Sequence, residues 1–302
     1  MVDPRAHRPP PPPPSDSSSR SADLVTDQSA GATSPRWPAW ARVLGVTVLF
    51  FVAMFASALL LMPVAELFPK TASGEAVVKI LGHVFFGVLL VAAMAVFVHR
   101  VEGRPLSFSG FVLTRWSLPL LLLGAVAAGV VQLLAVVPAE ALGEVAETEP
   151  FGAGAPVLLV TIMAITQALF LQGLPEELVY RGYMISTLRA RPLVAVVVST
   201  LVFTLLHLLS GGGQEGAVEM VLYLATPFGF SLSAAGLALL CGSVWPAVGV
   251  HAGFHWAWMI GSQMGLGDGP GMWVACGIGH TIIGIVALTV WYRRGARIDY
   301  HR

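Results

Sequence analysis

The chain has 302 residues, of which 56% are hydrophobic and only 11% charged, with a formal net charge of zero and a mean hydropathy of +0.76. This composition excludes an ordinary soluble domain, and the lack of any dense Lys/Arg cluster argues against nucleic acid as a partner. The solvent it implies for most of the chain is lipid.

In chain order, residues 1–36 come first, with an unbroken proline run from Pro9 to Pro14 followed by Ser, Asp, Thr and Gly. Such a segment cannot bury a core and reads as a disordered, Pro/Ser-rich cytoplasmic tail. The apolar region begins only near Trp40, which is too late for a cleavable signal peptide. Residues 37–302 then read as one all-α, polytopic transmembrane bundle. About eight helices are expected, over 41–65, 76–98, 116–138, 155–188, 191–209, 218–241, 244–264 and 272–292. The fourth is long enough to project past the bilayer, and Pro175 is expected to bend it by removing one backbone hydrogen bond. Cys241 and Cys276 lie in separate apolar stretches without metal-ligand spacing and read as packing residues.

The basic residues alternate across these spans. Arg5, Arg8, Arg20, Arg36 and Arg42 precede the first, and Arg100, Arg104 and Arg115 separate the second and third. Arg189 and Arg191 join the fourth to the fifth, and Arg293, Arg294 and Arg297 follow the eighth. The intervening connections hold Lys70 and Lys79 beside Glu66 and Glu75, then Glu140, Glu144, Glu147 and Glu149, then glycine-rich turns around Gly212 and Gly269. Cytoplasmic loops are enriched in Arg and Lys, so a multi-pass protein of the plasma membrane with both termini in the cytoplasm is expected.

Charges inside a span cost on the order of 2.5–3.5 kcal/mol each near the bilayer centre, so each one calls for a reason. Here they cluster. Glu176, Glu177 and Arg181 lie on the fourth span, His207 on the fifth, and His251 and His255 on the seventh. Helix rise puts Glu176 and His207 each about 20–25 Å back from the hairpin near Arg189, hence at one depth. Glu177 and Arg181 are spaced i,i+4 and can pair, while Glu176 points about 100° aside. That division makes Glu177 and Arg181 an orienting ion pair and leaves Glu176 to meet His207 and abstract a proton from water.

These residues fall into three motifs: Glu176-Glu177-x-x-x-Arg181, Phe203-x-x-x-His207 and His251-x-x-x-His255. In that order and on separate spans they resemble the CPBP family, which includes the type II CAAX prenyl endopeptidases and Abi-like membrane proteins. The likeness covers roughly residues 155–262. It implies a membrane-embedded endopeptidase that cuts peptide substrates near the cytoplasmic face, with Glu176 as base for water and His207 as its partner. The last motif departs from the family, which commonly carries Asn where His255 stands; a donor histidine can take over the support of an oxyanion.

The pair His251 and His255, one helical turn apart, also has the spacing of a zinc site that His207 or Glu176 would complete. Zn2+ and a metal-free glutamate mechanism are equally open from the sequence. So are two other classes: a non-catalytic scaffold or immunity protein, which would tolerate Glu176→Gln, and a transporter, which should show paired broken helices or repeats. Phe203 is expected to set the packing of the fifth span. His83 and His280 read as hydrogen-bonded core residues.

Overall fold

The computed structural model describes residues 37–142, 149–211, 213–264, 266 and 269–300. The expected tail over 1–36, with four of its arginines, lies outside the described residues, as do Glu144, Glu147 and Gly212. Among the described residues there is no β-strand, and the chain is a polytopic all-α membrane protein.

Eight long helices appear where the apolar runs place them: α1 Ala39–Ala65, α2 Ala72–Glu102, α3 Ser117–Ala141, α4 Val157–Thr187, α5 Pro192–Leu209, α6 Gly216–Cys241, α7 Trp245–Gln263 and α8 Pro270–Arg293. Seven of them are long and apolar enough to cross a membrane. The remaining one, α7, has 19 residues but is diluted by His251, His255 and three tryptophans. The outward faces confirm lipid as the solvent: Leu59, Val126, Leu133 and Val157 are between 65% and 82% exposed.

Local chemistry sets the ends. The Thr71 hydroxyl accepts the Gly74 N–H at 3.2 Å and starts α2, and Gly103, at φ +65°, closes it in the left-handed region. Pro227 has no N–H to give the Tyr223 carbonyl, and α6 steps at Leu224 for that reason.

The fourth helix is central, packing against α1, α2, α5, α6 and α7. The third helix lies close along α7 because Gly249 and Gly253 present no side chain to it. A Cβ on Gly253 would stand 2.3 Å from the Ala125 carbonyl oxygen. At one end of the bundle Arg42 of α1 bonds both Glu102 oxygens of α2 at 2.8 and 2.9 Å, and the Tyr183 hydroxyl of α4 donates to Glu102 Oε1 at 2.7 Å. The loop over 103–116 gathers there too, with Phe108 between Tyr183 and the Arg189 guanidinium.

The sequence predicts a bend at Pro175. The structure widens α4 on both sides of that residue: Gln167–Gly173 and Leu178–Met184 are π-helical, flanking the α-turn Leu174–Glu177. Proline removes one donor, and a register in which N–H groups reach five residues back, as Leu174 does to Leu169, accommodates that loss without ending the helix.

Candidate active site

Glu177 is fully buried on α4 and accepts two hydrogen bonds on one oxygen. Arg181 Nη1 donates to its Oε1 at 3.0 Å, and His251 Nδ1 of α7 donates to the same atom at 3.0 Å. The predicted ion pair therefore exists, and it has a partner on another helix that the spacing alone does not reveal. The three groups form a buried unit in which each charge is compensated by a neighbour.

The Arg181 guanidinium lies 4.1 Å over the Phe203 ring of α5, a cation–π contact that holds the planar group from its face. Phe203 is itself stacked on Phe230 of α6 at 5.8 Å, and Phe230 meets the His251 ring edge-on at 4.9 Å. Phe203 thus does more than set a packing angle: with Phe230 it forms the aromatic floor on which the charged groups rest.

Beside this buried unit stand three half-buried groups, Glu176, His207 and His255. His207 Nδ1 lies 2.8 Å from the Phe203 carbonyl, which can only accept, so Nδ1 carries the proton and Nε2 is left as the acceptor. The His207 and Phe203 rings are 4.5 Å apart, and His255 stacks on His251 at 5.1 Å. His207 lies within electrostatic reach of both His251 and His255. All six residues singled out by sequence fall in one region of α4, α5 and α7.

One expected contact is absent as a direct bond. Glu176 makes no hydrogen bond to any described residue, and the ring nitrogen that His207 donates through is turned to its own helix. Its carboxylate is therefore uncommitted, whereas that of Glu177 is engaged.

The residues also test the zinc alternative. Among the described residues no group of three or more His, Cys, Asp or Glu side chains converges closely enough to hold a metal ion. Nδ1 of His251 is held by Glu177 and Nδ1 of His207 by a backbone carbonyl, which leaves Nε2 of each ring as an acceptor.

Three further residues were not legible in the sequence. Gln172 lies one turn before Glu176, and its buried Oε1 has no hydrogen-bond partner among the described residues. Phe230 is one more apolar residue of α6 until the fold places it against His251. Tyr300, beyond α8, donates its hydroxyl to the Arg181 carbonyl at 2.6 Å. The two histidines read as core residues behave so: His83 bonds the Thr166 hydroxyl at 3.1 Å, and His280 the Ser233 hydroxyl at 2.9 Å.

Fold and site together define a multi-pass helical membrane protein with a polar, carboxylate-bearing centre inside its bundle. Residues 156–257, about a third of the chain, match the family model described as type II CAAX prenyl endopeptidase, Rce1-like. This is the family resemblance carried by the three motifs, and it supports a CAAX-protease-type intramembrane peptidase. No curated protein and no solved structure gave a significant match.

Proposed function

We propose that this protein is an intramembrane endopeptidase that hydrolyses a peptide bond with a water activated by Glu176. The observation that carries the reading is the division of labour between adjacent acids. Glu177 is locked between Arg181 and His251, while Glu176, one residue away, is half-buried and bonded to nothing among the described residues.

In the proposed reaction the Glu176 carboxylate takes a proton from water as the water oxygen bonds the substrate carbonyl carbon, and the carbonyl electron pair moves onto oxygen. His207 Nε2, left as an acceptor, orients that water. His255 supplies the N–H that meets the developing oxyanion. The C–N bond then breaks, and the proton held by Glu176 passes to the leaving amine. The Glu177–Arg181–His251 unit keeps this helix face in place.

The orientation is part of the proposal. Arg42, Arg100, Arg104, Arg115, Arg189, Arg191, Arg293, Arg294 and Arg297 lie at the ends of spans or in the connections that alternate with the acidic ones, which supports both termini in the cytoplasm of a plasma-membrane protein. A substrate peptide emerging at that face is the class the site suits; prenylation of it is not implied.

Two arms of one experiment test this. The purified protein, treated with chelator and repurified, is incubated with membrane-anchored peptides, and new termini are read by mass spectrometry. Cleavage is expected to survive chelation and to fall at least about 100-fold in His207→Ala. Activity lost to chelator and restored by Zn2+ would overturn the metal-free step, and full activity in His207→Ala would remove that histidine from it.

A further inference from the structure

After α8 the chain does not leave the bundle but folds back under the site. Arg294 and Gly295 close the helix by bonding Val290, Trp291 and Tyr292, and Gly295 and Ala296 take φ +100° and +49° to reverse direction. The Trp291 indole then donates to the Arg297 carbonyl at 3.0 Å and pins the returning segment.

At the end of that segment Tyr300 is only 8% exposed. Its ring lies against Gly110, where a Cβ would stand 2.8 Å from the ring carbons, and the loop passes at φ +73°, which glycine tolerates. The preceding Asp299 carbonyl covers Gly242, in the turn that leads into α7. The segment over 296–300 thus touches the loop between α2 and α3 and the turn that leads into α7.

The Tyr300 hydroxyl donates to the Arg181 carbonyl, inside the π-helical stretch Leu178–Met184. The neighbouring carbonyl, that of Tyr180, accepts from the Ser199 hydroxyl of α5 at 3.0 Å. A π-bulge disturbs the regular pairing of each carbonyl with the N–H four residues on, so outside donors that satisfy successive carbonyls favour the wide register over the ordinary one. Burial pushes the Tyr300 phenol up, so it remains a donor at any working pH.

We infer that Tyr300 is a positioning residue for the peptidase site, its hydroxyl fixing the π register of α4 that holds Arg181 against Glu177 and so Glu177 against His251; the inference rests on the function proposed above. Tyr300 acts through the backbone and touches no reacting atom. A merely structural role would alter stability and leave the geometry around His251 as it is.

Tyr300→Phe separates the two, because it keeps the ring against Gly110 and removes only the donor. In purified protein it is expected to lower kcat for peptide cleavage by about 10- to 100-fold with KM changed less than about twofold. In protein labelled with 15N-histidine, the His251 ring signals, assigned by their loss in His251→Gln, are expected to move while those of His83 and His280 stay in place. Unchanged kcat with an unmoved His251 signal would overturn the inference, as would movement of all three histidines together, which marks general loosening. A wild-type protein that cleaves nothing would sink the peptidase reading, and the His251 signal would still decide whether Tyr300 sets the register.

Discussion

Glu176→Gln is expected to lower peptide cleavage by about 10²- to 10⁴-fold while leaving the protein folded. The amide has nearly the shape of the carboxylate but cannot take a proton from water. Because Glu176 makes no hydrogen bond to a described residue, its replacement by the isosteric amide breaks none, and the melting temperature in detergent should match that of the wild type within about 2 °C. The combination distinguishes the reading from a non-catalytic scaffold. A scaffold would tolerate the change in its partner interactions and would show no cleavage in either protein. Cleavage by Glu176→Gln at the wild-type rate, measured by mass spectrometry of the products, would move the base elsewhere.

Arg181→Met is expected to damage stability as well as activity. The guanidinium is fully buried, donates to Glu177 Oε1 at 3.0 Å and stacks on Phe203 at 4.1 Å. Removing it leaves Glu177 in an apolar bundle with His251 alone. Breaking one partner of a buried pair costs on the order of 3–5 kcal/mol, far more than the pair gains over apolar replacements of the same volume. Thermal unfolding in detergent should therefore shift down by at least about 5 °C. The double variant Glu177→Gln with Arg181→Met should recover part of that loss, since it removes the stranded charge. A single variant as stable as the wild type would mean that the pair carries no structural weight. Arg181→Lys is a poor substitute on the same argument, because an ammonium cannot stack face-on over Phe203.

The spans were legible because membrane crossing demands about 20 apolar residues, and seven of the eight helices are such runs with polar connections. The Glu177–Arg181 pair was legible because its partners sit one helical turn apart on one element. The contact from His251 to the same carboxylate was not, since it joins residues 74 positions apart on separate helices, and periodicity carries no register between helices. Pro175 signalled a disturbance in α4 but not the π register on either side of it, which the periodicity of one helix does not encode. The same limit applied to the pairing of Glu176 with His207. Helix rise placed it level with His207, but could not show that His207 directs its donor to the Phe203 carbonyl. The His251–His255 spacing placed the two rings on one helix face, but not the stack at 5.1 Å that they form. Tyr300 carried no signal at all, because a polar segment following the eighth span reads as a tail until its tyrosine is found under Arg181.

The central claim is hydrolysis of a peptide bond inside this bundle, and the most direct measurement uses the wild-type protein in proteoliposomes with a single-span peptide in H2(18)O. The expected result is a discrete pair of products whose new carboxyl terminus carries 18O from solvent, at a bond near one membrane face. Intact peptide after prolonged incubation across a panel of such substrates, with the protein shown to be folded, would contradict it.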